Sequence, residues 1–256
     1  MKLRNNLLAQ LIFRSVLLVV AIISLVLSFT NMNVASDGGK ISPFLFYTHW
    51  SCFLAELTVG ASFLSTLLQF VKGKREGNNT YLPLLKFCSN IMIIATFVVA
   101  GFVLPDKIWT AGYWTFSRAI HHFFLPILVV LDSALFDRKR TYRLSYPFLG
   151  VVLPLIYWVI LIARFSIKRS SCGGAIPEGI WDYYYPYGFT NVDKSSSYGF
   201  LIGLLAGILV ALIAIGFLYY ILDKLEKGED GKLRLNRQID EEGSSDVFAL
   251  IKRKRS

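Results

Sequence analysis

Two adjacent histidines, His121 and His122, lie inside a stretch from residue 116 to residue 136 that is long and apolar enough to cross a bilayer. Asp132 follows in the same stretch, about three helical turns after His121 and therefore on the same helix face. An ionisable group at membrane depth is costly unless it faces a partner or a wet cavity. Histidine is also the side chain best suited to moving protons near neutral pH. The stretch is therefore a candidate site for acid–base chemistry inside a membrane.

The composition of the chain indicates a polytopic membrane protein. Of its 256 residues, 54% are hydrophobic and only 17% are charged, whereas soluble domains carry about 25% charged residues. The net charge of +10 would suit a nucleic-acid-binding protein, but the basic residues stand between apolar blocks and at the C-terminus, as is typical of membrane topology. We therefore exclude nucleic acid as a partner and expect a membrane lipid or lipid ester instead.

Six apolar blocks, each about 20 residues long, predict the fold. We predict an all-α bundle of six transmembrane helices over residues 1–222, followed by a charged, disordered tail over residues 223–256. Pro147 and Pro154 are expected to kink the fifth helix. The predicted helices cover residues 7–29, 44–71, 82–104, 116–136, 146–165 and 199–222.

The distribution of Lys and Arg among the loops predicts the orientation. Basic residues crowd the N-terminus, the second and fourth loops and the tail, so both termini are predicted to be cytoplasmic in a multi-pass protein of the cell membrane. Helices two and four then start at the outer surface, which places Thr48, His121 and His122 in the outer leaflet. The loop after helix five, which contains Trp181 and Tyr185, faces the same side. Three features that are distant in the sequence are thus expected to converge.

Other polar residues inside the apolar blocks suggest a polar seam through the bundle. The candidates are Glu56, Asn90 and Asp132, although the sequence does not tell which groups they meet. Arg14 is expected to snorkel toward the basic end of helix one. Each of these side chains, and equally a histidine or threonine of helices two and four, can instead serve only to hydrogen-bond a neighbouring helix.

Three short motifs follow one another along the chain: Tyr47-Thr48 at the start of helix two, His121-His122 with Pro126 in helix four, and Tyr185-Pro186-Tyr187 before the last helix. With this order, residues 7–222 resemble the androgen-induced-gene-like family of six-helix membrane proteins. The chain looks closer to the uncharacterised bacterial relatives of that family, which have a His…Pro…Leu-Asp helix followed by a basic turn. The corresponding residues here are Leu131-Asp132 and Arg138-Lys139-Arg140.

The animal members of that family are hydrolases that cleave fatty acid esters of hydroxy fatty acids with a membrane-embedded threonine and a histidine. The resemblance therefore implies that Thr48 is the nucleophile and that His121, which keeps the spacing to the proline, is the base, with His122 as the runner-up. This chain departs from the animal pattern in its adjacent histidines and in having His49 directly after the threonine. The implied chemistry is physically sound, because a threonine hydroxyl needs a neighbouring base to take its proton. An imidazole can then return that proton to the leaving alcohol.

Four further residues are candidates for binding the substrate. Arg118 or Arg164 is suited to hold a substrate carboxylate as a charge-assisted pair. Trp181 and Tyr185 belong to an aromatic cluster that would border the same site, although such clusters more often form an interfacial belt. No Gly-x-Ser-x-Gly motif is present, so the sequence does not identify the oxyanion donors.

Two other classes of function stay open. A non-catalytic lipid-binding or signalling protein would hold a lipid or a subunit in its polar seam without turnover. A small transporter is suggested by Glu56, Asp132 and Arg164 within apolar blocks, but it requires a solvent-connected path through the bundle. We expect no cofactor and no metal, because the three cysteines and three histidines show no metal-ligating spacing.

Overall fold

Six helices that are long and apolar enough to cross a membrane make up the fold. The computed structural model describes residues 6–30, 39–74, 77, 80–103, 115–194, 197–227 and 233–235. This architecture confirms the predicted all-α fold class of a multi-pass membrane protein, while the orientation of the termini stays a prediction. The helices are α1 (Leu7–Thr30), α2 (Tyr47–Val71), α3 (Pro83–Gly101), α4 (Phe116–Phe136), α5 (Tyr146–Ser171) and α6 (Tyr198–Lys224).

The region after the last helix differs in part from the predicted tail. Helix α6 continues to Lys224, two residues beyond the predicted end of the membrane domain. A short antiparallel pair of strands follows, β1 (Leu225–Lys227) with β2 (Leu233–Leu235). The rest of the predicted tail, from residue 236 onward, lies outside the described residues.

A proline reshapes α4 where the two histidines lie. Pro126 has no N–H to donate to the carbonyl of His122, four residues earlier, so a regular helical hydrogen bond is missing there. The segment Ile120–Phe124 forms a π turn instead, and the N–H of Leu125 bonds the carbonyl of Ile120 five residues earlier. Single π turns of this kind are rare and occur frequently at functional sites.

Helix α5 is interrupted near Pro154, as predicted, whereas Pro147 lies in its first turn and does not kink it. It consists of two pieces, Tyr146–Leu149 and Val152–Ser171. Pro154 lacks the N–H that would bond the carbonyl of Gly150, so the helix breaks at this point. The second piece extends beyond the predicted end at residue 165, which places Lys168 and Arg169 in its last turn rather than in a loop.

Buried apolar side chains from α1, α2, α3 and α4 meet halfway along the bundle and divide it into two ends. Each of these side chains is at most 4% exposed, so they pack closely at this level. We call the set the apolar layer; its members are Leu17, Ala21, Ala55, Val59, Ile93, Leu125 and Val129. We call the end where α1 finishes and α2 and α4 begin the loop end, and the opposite end the terminal end.

The loop between α5 and α6 packs over the loop end. It contains two short 3-10 helices, Glu178–Tyr183 and Gly188–Thr190. Its aromatic side chains join α5 and the start of α6 in one apolar cluster. The hydroxyl of Tyr187 accepts a hydrogen bond of 2.9 Å from the backbone N–H of Tyr47, so the loop also satisfies a free donor at the first turn of α2.

Candidate functional site

His121 is the best-connected ionisable group at the loop end. Its side chain is buried, and its Nδ1 lies 2.7 Å from the carbonyl oxygen of Ser117, so Nδ1 carries the proton and donates it. The other nitrogen, Nε2, lies 2.9 Å from Ser28 Oγ and 3.1 Å from the carbonyl oxygen of Ser24. In the neutral ring Nε2 therefore accepts the Ser28 hydroxyl proton. After protonation, Nε2 would donate to the Ser24 carbonyl instead. The ring therefore has hydrogen-bond partners in both its neutral and its protonated state.

His49 extends this contact into a chain of hydrogen bonds. Its Nδ1 lies 2.9 Å from the same Ser28 Oγ, and its ring centroid lies 5.1 Å from that of His121. Since Ser28 gives its proton to His121, its oxygen accepts from His49 Nδ1–H. We call Ser28, His49 and His121 the histidine cluster. Its three members come from α1, α2 and α4, so the cluster depends on the packing of these helices.

A small cleft between α1 and α2, with room for about one water molecule, reaches the histidine cluster. Its polar lining consists of Ser28, His49 and Glu56. The Glu56 Oε1 atom is buried and has no hydrogen-bond partner among the described residues, and the same holds for Ser24 Oγ. The apolar lining includes phenylalanines that are about 40% exposed, so the cleft opens on the outer surface of the bundle. The apolar residues are Leu25, Phe29, Pro43, Phe44 and Phe53.

Thr48 lies beside this cluster but is not bonded to it. It is half-buried in the first turn of α2, on the face that also carries Cys52, whose Sγ lies 3.7 Å from the carbonyl oxygen of His121. Within the described residues, no hydrogen bond joins Thr48 Oγ1 to an imidazole. The structure thus brings His49, rather than the expected Thr48, into contact with His121.

His122, the alternative base, lacks such a connection. It is half-buried, and its Nδ1 has no hydrogen-bond partner in the described part of the chain. The two adjacent histidines therefore have different surroundings, and His121 is the one that holds a hydroxyl.

The four candidate substrate-binding residues lie away from the cleft. Arg118 is exposed at the start of α4, and the Arg164 guanidinium is exposed and stacks 4.9 Å above the ring of Tyr184. Trp181 donates from Nε1 to the carbonyl of Ile176 at 2.7 Å. Tyr185 is buried and is held by a carboxylate in its own loop, as described next.

Asp193 ties the α5–α6 loop together. Its carboxylate accepts hydrogen bonds from Tyr185 Oη at 2.6 Å, from the backbone N–H of Ile176 at 2.9 Å and from Arg169 Nε at 2.6 Å. Burial alone would raise the pKa of Asp193, but these three donors together hold it below its ordinary value. Tyr185 thus has a structural partner, and the loop is internally braced.

The residues of the expected polar seam lie in two separate regions. Glu56 lines the cleft, whereas Asn90 and Asp132 lie at the terminal end. Asn90 Nδ2 donates to Ser133 Oγ at 2.8 Å and to Tyr219 Oη at 2.7 Å. Glu56 forms no hydrogen bond or ion pair with Asn90 or Asp132 among the described contacts.

Asp132 belongs to a buried group of two cations and two carboxylates, which we call the charge cluster: Arg14, Lys86, Asp132 and Asp137. Arg14 Nε lies 2.8 Å from Asp132, and Lys86 Nζ lies 2.7 Å from Asp132 and 2.6 Å from Asp137. The expectation that Arg14 snorkels is wrong. Its side chain is 3% exposed, because the carboxylates and the Thr66 hydroxyl, 2.7 Å away, supply partners inside the bundle.

Sequence reasoning missed Ser24, Ser28 and Lys86. A signal for the two serines exists, because Ser24 and Ser28 repeat the spacing of Arg14, Leu17 and Ala21 and so continue the inward face of α1. Lys86 lies in the first turn of α3, where a basic residue also suits a membrane interface, so its burial had no comparable signal.

Comparisons with known proteins do not assign the chain to a family: no protein family, no curated protein and no solved structure matches it. Within the described residues, no group of three or more histidines, cysteines or carboxylates is arranged to hold a metal ion. The geometry of the histidine cluster is therefore the basis for a functional proposal.

Proposed function

We propose that this protein is a membrane-embedded hydrolase of lipid esters and that His121 is its general base. One observation carries the proposal. A buried imidazole has a serine hydroxyl 2.9 Å from one nitrogen and a carbonyl oxygen 2.7 Å from the other, beside a cleft that opens on the surface of the bundle. A hydroxyl becomes a useful nucleophile when a base takes its proton and a third group orients that base.

Two hydroxyls compete for the role of nucleophile. The geometry favours Ser28, because it bonds His121 and lines the cleft. The family resemblance implies Thr48, which lies one helical turn from the Cys52 contact with His121. We take Ser28 as the nucleophile and Thr48 as the alternative to be tested against it.

The proposed reaction proceeds in two stages. Ser28 passes its proton to His121 Nε2, and its oxygen attacks the ester carbonyl carbon; the ester C–O bond then breaks as His121 returns the proton to the leaving alcohol. A water molecule then gives its proton to His121 Nε2 and attacks the acyl carbonyl carbon. The acyl–Ser28 bond breaks as His121 returns the proton to Ser28 Oγ, which restores the hydroxyl. The carbonyls of Ser117 and Ser24 support the imidazolium that forms in between. His49 Nδ1–H bonds the nucleophile oxygen, Ser28 Oγ, at 2.9 Å; in this scheme it turns to the ester carbonyl oxygen as negative charge develops there and acts as the oxyanion donor.

The test compares four single variants of the purified protein in detergent or liposomes with a fluorogenic long-chain ester. His121→Ala and Ser28→Ala are expected to lower turnover by about 100-fold or more, since base and nucleophile act as a unit. Thr48→Ala and the matched control His122→Ala are expected to stay within a few-fold of the wild type. Size-exclusion chromatography verifies folding, and a fluorophosphonate probe followed by mass spectrometry locates the reactive hydroxyl.

Each outcome of this test has one interpretation. Loss of activity in Thr48→Ala with activity retained in Ser28→Ala assigns the nucleophile to Thr48. Turnover retained in His121→Ala, or no turnover by the folded wild type on esters of any chain length, overturns the hydrolase proposal.

A non-catalytic lipid-binding protein is the second candidate, and the apolar lining of the cleft favours it. It predicts a lipid that remains bound through purification and is unaffected by Ser28→Ala. The transporter hypothesis receives less support. The apolar layer is closely packed, although two hydroxyl pairs lie at the same level between α2 and α3, Ser51–Thr96 and Thr58–Ser89.

A further inference from the structure

We infer that the cleft between α1 and α2 is the port through which water reaches Ser28 and His121 and through which the proton of the product acid leaves, with Glu56 as the residue that positions that water. The inference rests on the proposed hydrolase function and adds a residue and a route that the reaction needs.

The stoichiometry of ester hydrolysis creates this need. Each turnover consumes one water molecule and yields an alcohol and a carboxylic acid. Near neutral pH the acid ionises, so one proton has to leave as well. A site buried among helices and acyl chains requires a polar route for both species, because neither crosses close-packed apolar side chains readily.

The apolar layer closes one direction. Ala21, Ala55 and Leu125 lie directly beyond the histidine cluster on α1, α2 and α4, and each is at most 2% exposed. These side chains pack together in a single cluster. We therefore take the cleft, rather than this packed layer, as the route for water.

The cleft offers the opposite direction. Ser28, His49 and Glu56 line it together, and hydrogen bonds of 2.9 Å continue from His49 through Ser28 to His121. A proton released by the product acid in this cleft thus meets His49 and Glu56 as its nearest acceptors. The other ionisable groups around His121 are His122 and Arg118 on α4 and the Cys52 thiol on α2, and none of these lines the cleft.

Glu56 has the position that a water-holding residue requires. It shares one face of α2 with His49 and Phe53, and helical side chains tilt toward the N-terminus, so its carboxyl reaches toward His49. Its Oε1 is buried and makes no hydrogen bond among the described residues, while the Ser24 hydroxyl lies beside the carboxyl. A water molecule in the cleft would satisfy the carboxylate and lie beside the acyl–Ser28 intermediate.

Thiol labelling tests the port without relying on catalysis. Cys52, Cys88 and Cys172 are replaced by Ala or Ser, and either Glu56→Cys or Val59→Cys is then introduced. A small cationic methanethiosulfonate reagent added from the aqueous phase is expected to modify Glu56→Cys at least about tenfold faster than Val59→Cys, which lies in the apolar layer. Equal labelling rates of the two variants, or no labelling of Glu56→Cys, overturn the inference that the cleft admits water.

Trapping of the intermediate tests the role of Glu56 in the reaction. Acyl transfer to Ser28 needs no water, whereas release of the acyl group does. Glu56→Gln is therefore expected to lower steady-state turnover at least about tenfold while an acyl adduct accumulates on the protein, visible by intact mass spectrometry. Hydroxylamine, which replaces water as the attacking group, should restore turnover, and Glu56→Asp should restore part of it.

The outcomes separate this inference from the proposed function. Unchanged turnover in Glu56→Gln, or a fall in turnover without accumulation of the adduct, overturns the role of Glu56 while Ser28→Ala still reports on the hydrolase. If the wild type forms no adduct and Ser28→Ala changes nothing, the hydrolase proposal itself has failed. The labelling result then still decides whether the cleft admits water.

Discussion

The two polar regions of this bundle differ in how completely their ionisable groups are paired. Both cations and both carboxylates of the charge cluster have oppositely charged partners within 4 Å. At the loop end, by contrast, Glu56 Oε1 and His122 Nδ1 are buried without hydrogen-bond partners among the described residues. Paired buried charges hold helices together, whereas an unpaired acid beside a cleft costs stability without supporting the fold. Chemistry is therefore expected at the loop end, where the histidine cluster lies.

The largest expected effect comes from breaking the charge cluster. Lys86→Met leaves two buried carboxylates with only Arg14 as a cationic partner, so we expect it to lower the free energy of unfolding by about 3–5 kcal/mol. Thermal unfolding in detergent measures the loss. Lys72→Met at the exposed end of α2 is the control and should change stability by less than about 0.5 kcal/mol. A small effect of Lys86→Met would show that the cluster is not a structural unit.

The next effect concerns the boundary between the two regions. Leu125 in the apolar layer is completely buried, and Leu125→Ala should cost about 2–3 kcal/mol because a cavity replaces packed atoms. Ile127→Ala is the matched control, since this residue lies on the same helix and is 44% exposed. Chemical denaturation compares the two variants. Equal losses would mean that the layer is loosely packed and does not separate the ends.

At the loop end, a substitution is expected to change the free energy of unfolding in the opposite direction. Glu56→Leu removes an acid whose buried Oε1 makes no hydrogen bond among the described residues, so we expect the free energy of unfolding to rise by about 1 kcal/mol while ester turnover falls. Asp132→Leu, the matched acid in the charge cluster, should destabilise the protein instead. Melting temperatures of the two variants give the comparison directly. Destabilisation by Glu56→Leu similar to that by Asp132→Leu would abolish the proposed difference between the regions.

The smallest expected effect on stability concerns Asp193. This residue lies in the α5–α6 loop, outside the helices, and its carboxylate is fully hydrogen-bonded, in contrast to Glu56. Because its pKa is lowered in the folded protein, its contribution is present above about pH 4 and is lost as the pH falls through the lowered value. Asp193→Asn should therefore be about 0.5–1 kcal/mol less stable than the wild type at neutral pH.

That difference should shrink as the pH drops below about 4, as measured by denaturation from pH 6 to pH 2. Glu178→Gln, an exposed acid in the same loop, is the control and should show no such trend. A constant difference across this range would contradict the assignment of the lowered pKa to Asp193.

The helices could be predicted from the sequence because a bilayer demands long apolar segments. The six spans are 19 to 27 residues long, and the kink of α5 follows from the missing N–H of Pro154. The side chains that meet could not be predicted in the same way, because contacts depend on the rotation and neighbours of each helix. Arg14 illustrates this limit, since the same residue would snorkel if two carboxylates did not lie beside it.

The candidate site was predicted in part. His121 was singled out as an ionisable group at membrane depth, and it is indeed buried with partners on α1. The sequence offered Thr48 as its hydroxyl partner through resemblance, whereas the contact that forms is with Ser28. Serine is common at helix interfaces in membranes, so its type alone carries little information. The π turn at Ile120–Phe124 also shifts the direction of the histidines away from that of a regular helix.

The apolar layer has an electrical consequence. In an energised membrane, each elementary charge that crosses the dry part of the protein gains or loses about 2.3 kcal/mol per 100 mV. Ester, water and proton would all enter and leave the histidine cluster on one side of this layer. Turnover would then transfer no net charge through the insulating region, and its rate would not respond to the voltage across the membrane.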